Sequence, residues 1–456
     1  MSEQFSAYIR NIEKVSFDKS FQKKWDSNIE KHEKNVLKAK NNYNDVKLAR
    51  LRAAFISQKS QKQLDDLLIQ FDSNFTQNGG KVLWARNSRE AVSFVLDSIE
   101  KAVNKKIICS KSFLYKEIDL ENAFKKKKIT CTETNLDNFI LQSKVDKSPE
   151  CTNASLHLSK SEINEILTEK YGLKEDSTPE EMIRFMCNEL KNDFDLAGIS
   201  LTGANFLLAD IGGVVLIENE GNILKSTATT DLHIVLAGID KIIPSIEDLD
   251  TILPLLSTYS SGQLMTAFSS ITTGAAGDEN GPQQMIVILV DNNRSELLSR
   301  SQQRAALACI KCGSCQNVCP VYRTIGSSSY GVTYSGPIGI VIEPIMKGFE
   351  NYGHLSFACT MCKKCDDVCP VNIPLSKLII KNREEIFGHK IASSPNTFAM
   401  KKLIKWLLSR RKMDLFGAGV KNYLLKHFFA KQWGNRRQLP VIQTKSFSQQ
   451  WREKNK

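Results

Sequence analysis

The chain lacks long apolar runs and has no glycine fingerprint for a nucleotide cofactor. No uninterrupted stretch approaches the ~18 apolar residues of a membrane-spanning helix, the longest being short pieces such as 214–217 and 285–290. A helical span is therefore not expected. The opening MSEQFSAYIRNIEK has no apolar core of the secretory kind, so a cytoplasmic setting with reduced thiols is expected and disulfides are not. The pattern G-x-G-x-x-G is absent, so no flavin or nicotinamide turn is legible. No nucleophile–base pair stands out either. His233, alternating with apolar residues in DLHIVL, reads as a core histidine rather than a base.

Acidic residues are scarce in one region only. From Lys390 onward sixteen Lys and Arg face Asp414 and Glu453 alone, a surplus of fourteen, so a net charge of +12 leaves the preceding 389 residues at about −2. Within this tail, 398–413 (FAMKKLIKWLLSRRKM) sets Leu403, Ile404, Leu407 and Leu408 on one helical side and basic residues elsewhere, and Trp406, Trp433 and Trp451 add aromatic anchors. Two readings stay open: peripheral contact with an anionic membrane surface, and docking on an acidic partner protein. Nucleic acid is not expected, since no binding motif accompanies the charge.

What the chain does have is cysteine in a repeated pattern. CIKCGSCQNVCP from Cys309 to Pro320 and CTMCKKCDDVCP from Cys359 to Pro370 both read C-x2-C-x2-C-x3-C-P. In that spacing three cysteines hold one [4Fe–4S] cluster and the fourth, beside proline, crosses to the other. Cys309, Cys312, Cys315 and Cys369 are thus expected to hold one cluster, and Cys359, Cys362, Cys365 and Cys319 a second. Zinc ribbons use two C-x2-C pairs per ion, a poorer match. Four thiolates per cluster leave no iron open for substrate, so the expected chemistry is electron transfer. Cys109, Cys131, Cys151 and Cys187 lack ligand spacing and read as ordinary core or surface thiols.

Hydrophobic periodicity places a helical hairpin or pair of helices in residues 1–78, ended by Gly79-Gly80. Strands at 82–85, 107–109 and 129–132 follow, with Asn87 and Glu90 opening a helix to about 103. Ser159 with Glu162, and Thr178-Pro179 with Glu181, open two more helices. Lys125–Lys128 reads as a solvated turn. Buried strands are expected at 199–201, 206–208, 214–217, 234–236 and 285–290, Ser245 caps a helix that Pro254 kinks, and 294–304 is helical. Strands alternating with helices predict a largely parallel sheet. Thr202-Gly203-Ala204-Asn205 and Asn219-Glu220-Gly221-Asn222 fall at strand ends, where turn chemistry alone and a ligand or subunit contact are both open. The apolar, Gly-rich 330–349 is expected to pack over the clusters and keep water away.

The stretches ISLTGANFLLADIGGVVLIENEGN, DLHIVLAGIDKIIPSIEDL, VILVDNNRS and SKSFLYKEI resemble the LUD domain, and the order of parts resembles the LUD-domain iron–sulfur subunits of lactate utilization from about residue 60 to the end. Asp210-Ile211-Gly212-Gly213, where that family has Glu-Thr-Gly and a hydroxyl residue, departs from it, as does 147–157, so no catalytic role is carried onto either. The resemblance implies an α/β fold related to ribose-5-phosphate isomerase and CoA transferases, then an all-helical ferredoxin-type domain. The expected boundaries are 1–78 (helical), 79–298 (LUD), 299–389 (two [4Fe–4S] clusters) and 390–456 (basic tail). It further implies an electron-transfer subunit of an L-lactate oxidising complex, partnered by a cysteine-rich subunit like heterodisulfide reductase and a second LUD protein. The rivals are catalysis by the LUD domain itself and service to another 2-hydroxy acid such as glycolate.

Overall fold

The computed structural model of the chain describes residues 2–143, 158–276, 281–388, 402, 405, 408, 417–430 and 438–455. Residues 1–386 form one compact unit and 387–456 a second. Cys151, the departure at 147–157, most of the helix expected at 398–413, Trp406 and Trp433 lie outside the described residues. In the second unit, helices Ala418–Leu424 and Phe447–Lys454 are described, and Trp451 is exposed.

The first unit is built on a six-stranded sheet of strands β1 (Lys81–Ala85), β2 (Ile107–Cys109), β3 (Cys131–Glu133), β4 (Ile199–Gly203), β7 (Leu232–Gly238) and β10 (Gln284–Val290), ordered β1-β10-β7-β4-β2-β3 with every pairing parallel. Its central strands are apolar on both faces: β7 is buried at every position, and β10 at all but Gln284. A second, mixed sheet of four strands was not legible as such. It orders β8 (Ile242–Ile243), β5 (Phe206–Leu208), β6 (Gly213–Glu218) and β9 (Phe268–Thr272), and β8 and β9 were missed because one is two residues long and the other is mostly exposed polar sequence.

Local signals set many helix boundaries. Asn87 caps Ser88–Lys101 through the Arg89 and Glu90 N–H groups, and Ser159 and Thr178 form full capping boxes. Three expectations need correction. The N-terminal region holds four helices, Glu3–Val15, Lys19–Lys40, Val46–Lys62 and Leu64–Gln77, rather than one pair, because turns at 41–45 and the Gln63 break interrupt the periodicity. Lys125–Lys127 is the last turn of helix Leu120–Lys127, where lysines suit the helix dipole, and only Lys128 leaves it in a left-handed conformation. The helix expected at 294–304 stops at Ser299 and resumes as a 3-10 turn, Gln303–Ala308.

The N-terminal helices do not stand apart. Tyr8, Trp25, Ile29, Ala53 and Ile56 share one hydrophobic core with Cys312, Cys365 and Cys369, so residues more than 250 positions away in sequence enclose the cysteine runs. Between Arg294 and Gly388 the described elements are α-helices and 3-10 turns. The parallel sheet and this helical region meet along the C-terminal ends of the strands.

Candidate metal centre

Two short turns with the same backbone carry the cysteine runs. Lys311 and Met361 occupy matching positions, both with φ 59°, and Gly313 and Lys363 match at φ 77° and 64°. Left-handed residues turn the peptide N–H groups inward, so Lys311 N donates to Cys309 Sγ at 3.4 Å and Met361 N to Cys359 Sγ at 3.3 Å. Ile373 N donates to Cys369 Sγ at 3.3 Å. The last of these favours the Cys369 thiolate over its thiol.

The fold gathers the eight sulfurs into two sets. Cys309, Cys312, Cys315 and Cys369 line one cavity with Phe113, Tyr334 and Ile338. Burial first, and then the charges of Cys369 and Cys309, push Cys312 up to about 12, and burial with Cys309, Cys312 and Cys369 raises Cys315 well above the usual thiol range. Cys369 is raised to about 11 by burial and Cys309. The other four answer to one another: Cys319 is raised by burial and by Cys359 and Cys362, and Cys365 to about 12 by burial, Asp366, Cys359, Cys319 and Cys362. Among the described residues no three His, Cys, Asp or Glu side chains converge as the ligands of a single ion must. The thiolates of a cubane each bind a different iron, so they have no need to converge. Thiols raised in this way, such as Cys312, Cys315 and Cys369, ionise together only if a cofactor brings positive charge, and this donor set fits an iron–sulfur cluster.

Supports reach the centre from across the chain. Arg50, on helix Val46–Lys62, donates from Nε and Nη2 to the Cys369 carbonyl at 3.0 and 2.8 Å, and Arg383 donates to the Cys359 carbonyl at 2.9 Å. Helix Gly336–Lys347 is buried through Ile345 and packs beside the first set, as expected of 330–349. Both sets hold buried cysteines, Cys312 and Cys369 in the first and Cys365 in the second, but the second also has the exposed Cys362.

A buried ion-pair network joins the sheet to this region. Arg294 grips Glu117 at 2.8 and 2.9 Å and Asp240 at 2.5 Å, while Glu117 also accepts the Tyr334 O–H at 2.6 Å and the Asn292 Nδ2–H at 2.8 Å. Burial works against these charges, but Arg294 outweighs it, holding Glu117 below the usual carboxylate range and Asp240 down at about 2. Sequence reasoning missed Glu117, Asp240 and Arg294 as functional residues. The available signal was weak: Asp240 and Arg294 follow closely on the ends of β7 and β10, while Glu117 ends helix Phe113–Glu117 and carries no pattern of its own.

Two domain models match the chain: "LUD domain" over 68–290 and "4Fe-4S dicluster domain" over 305–373. Lactate utilization protein B of Bacillus pumilus is 34% identical over 88% of this chain and 87% of its own length. The chain belongs to the lactate utilization protein B family. Lactate utilization protein B of a Geobacillus species is 36% identical over 73% of this chain and 70% of that one, and the uncharacterized electron transport protein YkgF of Escherichia coli 34% over 77% and 74%. A DUF162 family crystal structure from Deinococcus radiodurans covers 50% of this chain and 98% of its own at 13% identity and a TM-score of 0.27, too slight a likeness to carry weight. The chain is thus a LUD domain with a parallel-sheet α/β core followed by an iron–sulfur dicluster domain.

The remaining sequence-predicted residues fall as follows. His233 is fully buried, its Nε2 2.8 Å from Thr202 Oγ1, and burial lowers its pKa to about 3. It is a core residue in a neutral state. Cys109 and Cys131 lie on paired strands, hydrogen-bonded to each other, and Cys187 is exposed. The strand-end loops 203–205 and 219–222 come together on one cavity, and Asp210-Ile211-Gly212-Gly213 forms a turn pinned by Asn74.

Proposed function

We propose that this chain is an electron-transfer subunit of a lactate-oxidising complex, carrying two [4Fe–4S] clusters in an all-helical ferredoxin-type domain. Cys309, Cys312, Cys315 and Cys369 would hold one cluster and Cys359, Cys362, Cys365 and Cys319 the other. The observation that carries the reading is the mixed composition of the two sulfur sets, each combining three cysteines of one run with the fourth of the other. Relatives named for lactate utilization and for electron transport supply the direction of the chemistry. When bound, the clusters supply one-electron steps.

The chain's own residues set the conditions for those steps. The apolar wall around the first set, with Phe113, Ile310 and Ile338, excludes water, and backbone N–H groups at the sulfurs stabilise negative charge. Exposed Cys362 brings the second set to the surface, where a partner's redox centre would approach. Fully ligated clusters leave substrate oxidation to a partner. The expected partners are a cysteine-rich subunit resembling heterodisulfide reductase and a second LUD protein, in the cytoplasm or against the inner face of the membrane. The described helices include none long and apolar enough to cross a membrane.

The anaerobically purified chain should contain about eight iron and eight sulfide, with coupled spectra on reduction. Exchanging Cys369 for Ser should damage the cluster held by the first run and spare its neighbour. Loss confined to the second-run cluster would refute the crossed assignment. The loaded chain alone should oxidise lactate poorly with an artificial acceptor and gain activity with its partners; robust turnover by itself would move catalysis into the LUD domain.

A further inference from the structure

Between the C-terminal ends of β2, β4 and β7 and the first cysteine run lies a cavity of about 430 Å3. That volume is in the range of small-molecule sites, and this edge of a parallel sheet is where diverging loops leave room for a ligand. Its inner end is shared with the first sulfur set, since Phe113, Ile310, Lys311 and Tyr334 line both cavities.

The charges in its wall are sorted. At the loop end Glu218 accepts the Ile223 and Leu224 N–H groups at 2.7 Å, and Glu220 accepts Asn135 and Leu136 at 3.0 Å, with Asp137 and Lys111 nearby. At the cysteine end Asp240 is paired with Arg294 and flanked by Lys241 and Lys311. Lys311 Nζ rests on the Tyr334 ring at 4.0 Å, and Lys241, its pKa lowered by burial and in turn supported by the charge of Asp240, makes no salt bridge within 4 Å and no side-chain hydrogen bond with a described residue. An ammonium group has three protons to donate, so these two keep capacity for an anion beside the matched pair of Asp240 and Arg294.

We propose that this cavity binds an organic oxyanion, a carboxylate or phosphate group held by Lys241 and Lys311, with the hydroxyl or amino groups of the same molecule turned towards Asp137 and Glu220. An anion seated there lies against residues that also wall the first sulfur set, so occupancy makes reduction of that centre harder. The LUD domain would in this way report ligand binding to the electron-transfer centre. The proposal holds whether or not lactate is the substrate of the larger system.

The test uses anaerobically purified full-length holoprotein, titrated calorimetrically with D-glycerate, glycerol 3-phosphate and, as a neutral control, glycerol. One or both anions should bind and glycerol should not, the two anions separating carboxylate from phosphate recognition. Lys241→Gln should weaken binding at least tenfold and Lys241→Arg should restore most of it. In redox titrations followed by EPR, saturating anion should lower the midpoint of one cluster in the wild type. Iron content measured alongside identifies a variant that fails to fold, in which case the wild-type titrations and Lys241→Arg decide. Absence of anion binding, binding indifferent to Lys241→Gln, or binding with no midpoint change would overturn the proposal. So would a midpoint moved by Lys241→Gln without any anion binding, because the lysine would then serve the cluster's charge alone.

Discussion

The buried charges around Arg294 are matched by partners. Arg294 is 5% exposed yet meets two carboxylates, and Glu117 collects Arg294, Asn292 and Tyr334. Removing one member leaves the others unpaired in a dry interior, so Arg294→Met should cost on the order of 3–5 kcal/mol, read as a lower unfolding midpoint in denaturant. His233 shows the opposite solution, burial without charge. It takes up a proton near pH 3 when folded and near 6.5 when unfolded, so between those values the unfolded chain binds more protons and stability falls as pH drops. The slope is at most about 1.4 kcal/mol per pH unit. His233→Gln, which can keep a hydrogen bond to Thr202, should flatten the stability profile between pH 6.5 and 5. His354, also lowered by burial, contributes equally to both proteins and drops out of the comparison. An unchanged profile would place the protonation of His233 elsewhere.

At the level of elements, the cysteine turns and the helices around them depend on each other. The run geometry is local: residues 311, 313, 361 and 363 are all left-handed, Lys311 and Met361 point their N–H groups at sulfur, and glycine fills only one of the four positions. Backbone strain of that kind persists where surrounding packing enforces it. Part of that packing comes from helix Val46–Lys62, whose Arg50 makes two bonds to the carbonyl of Cys369, the cysteine that crosses between runs. Arg50→Met should therefore loosen the first sulfur set, with faster iron release to a chelator, while an exposed change on the same helix, Arg52→Met, should not. Equal release rates would assign Arg50 a surface role only. No reading of the N-terminal periodicity shows this, because a 3.6-residue pattern says that a face is buried without saying against what.

For the whole molecule, the division between an almost neutral body and a basic tail is plain in the sequence, and the compact unit ends at Ile386, just before the basic residues begin at Lys390. The cysteines all lie before that point. Deleting residues from about 396 should leave iron content unchanged and abolish salt-sensitive association with partner subunits or anionic vesicles, as measured by co-sedimentation at low and high salt. Each basic residue near an anionic surface contributes on the order of 1 kcal/mol, an effect that salt screens. Loss of iron on truncation would instead make the tail part of the cluster domain, and undiminished association would remove its docking role.

Taken alone, the sequence determined what covalent spacing and short-range geometry control. The C-x2-C-x2-C-x3-C-P runs specify their own turns, the capping boxes at Ser159 and Thr178 start their own helices, and apolar runs such as 285–290 announce strands buried on both faces. Tertiary structure alone decided everything that depends on partners far apart in the chain. It brought Tyr8, Trp25 and Ile56 onto the cysteine runs, matched Glu117 to Arg294, paired β6 with the polar β9, and left Lys241 at the end of a cavity beside the first sulfur set. A single charged residue carries no periodicity, and its role rests on which opposite charge the fold sets beside it and on how little water remains there to compete.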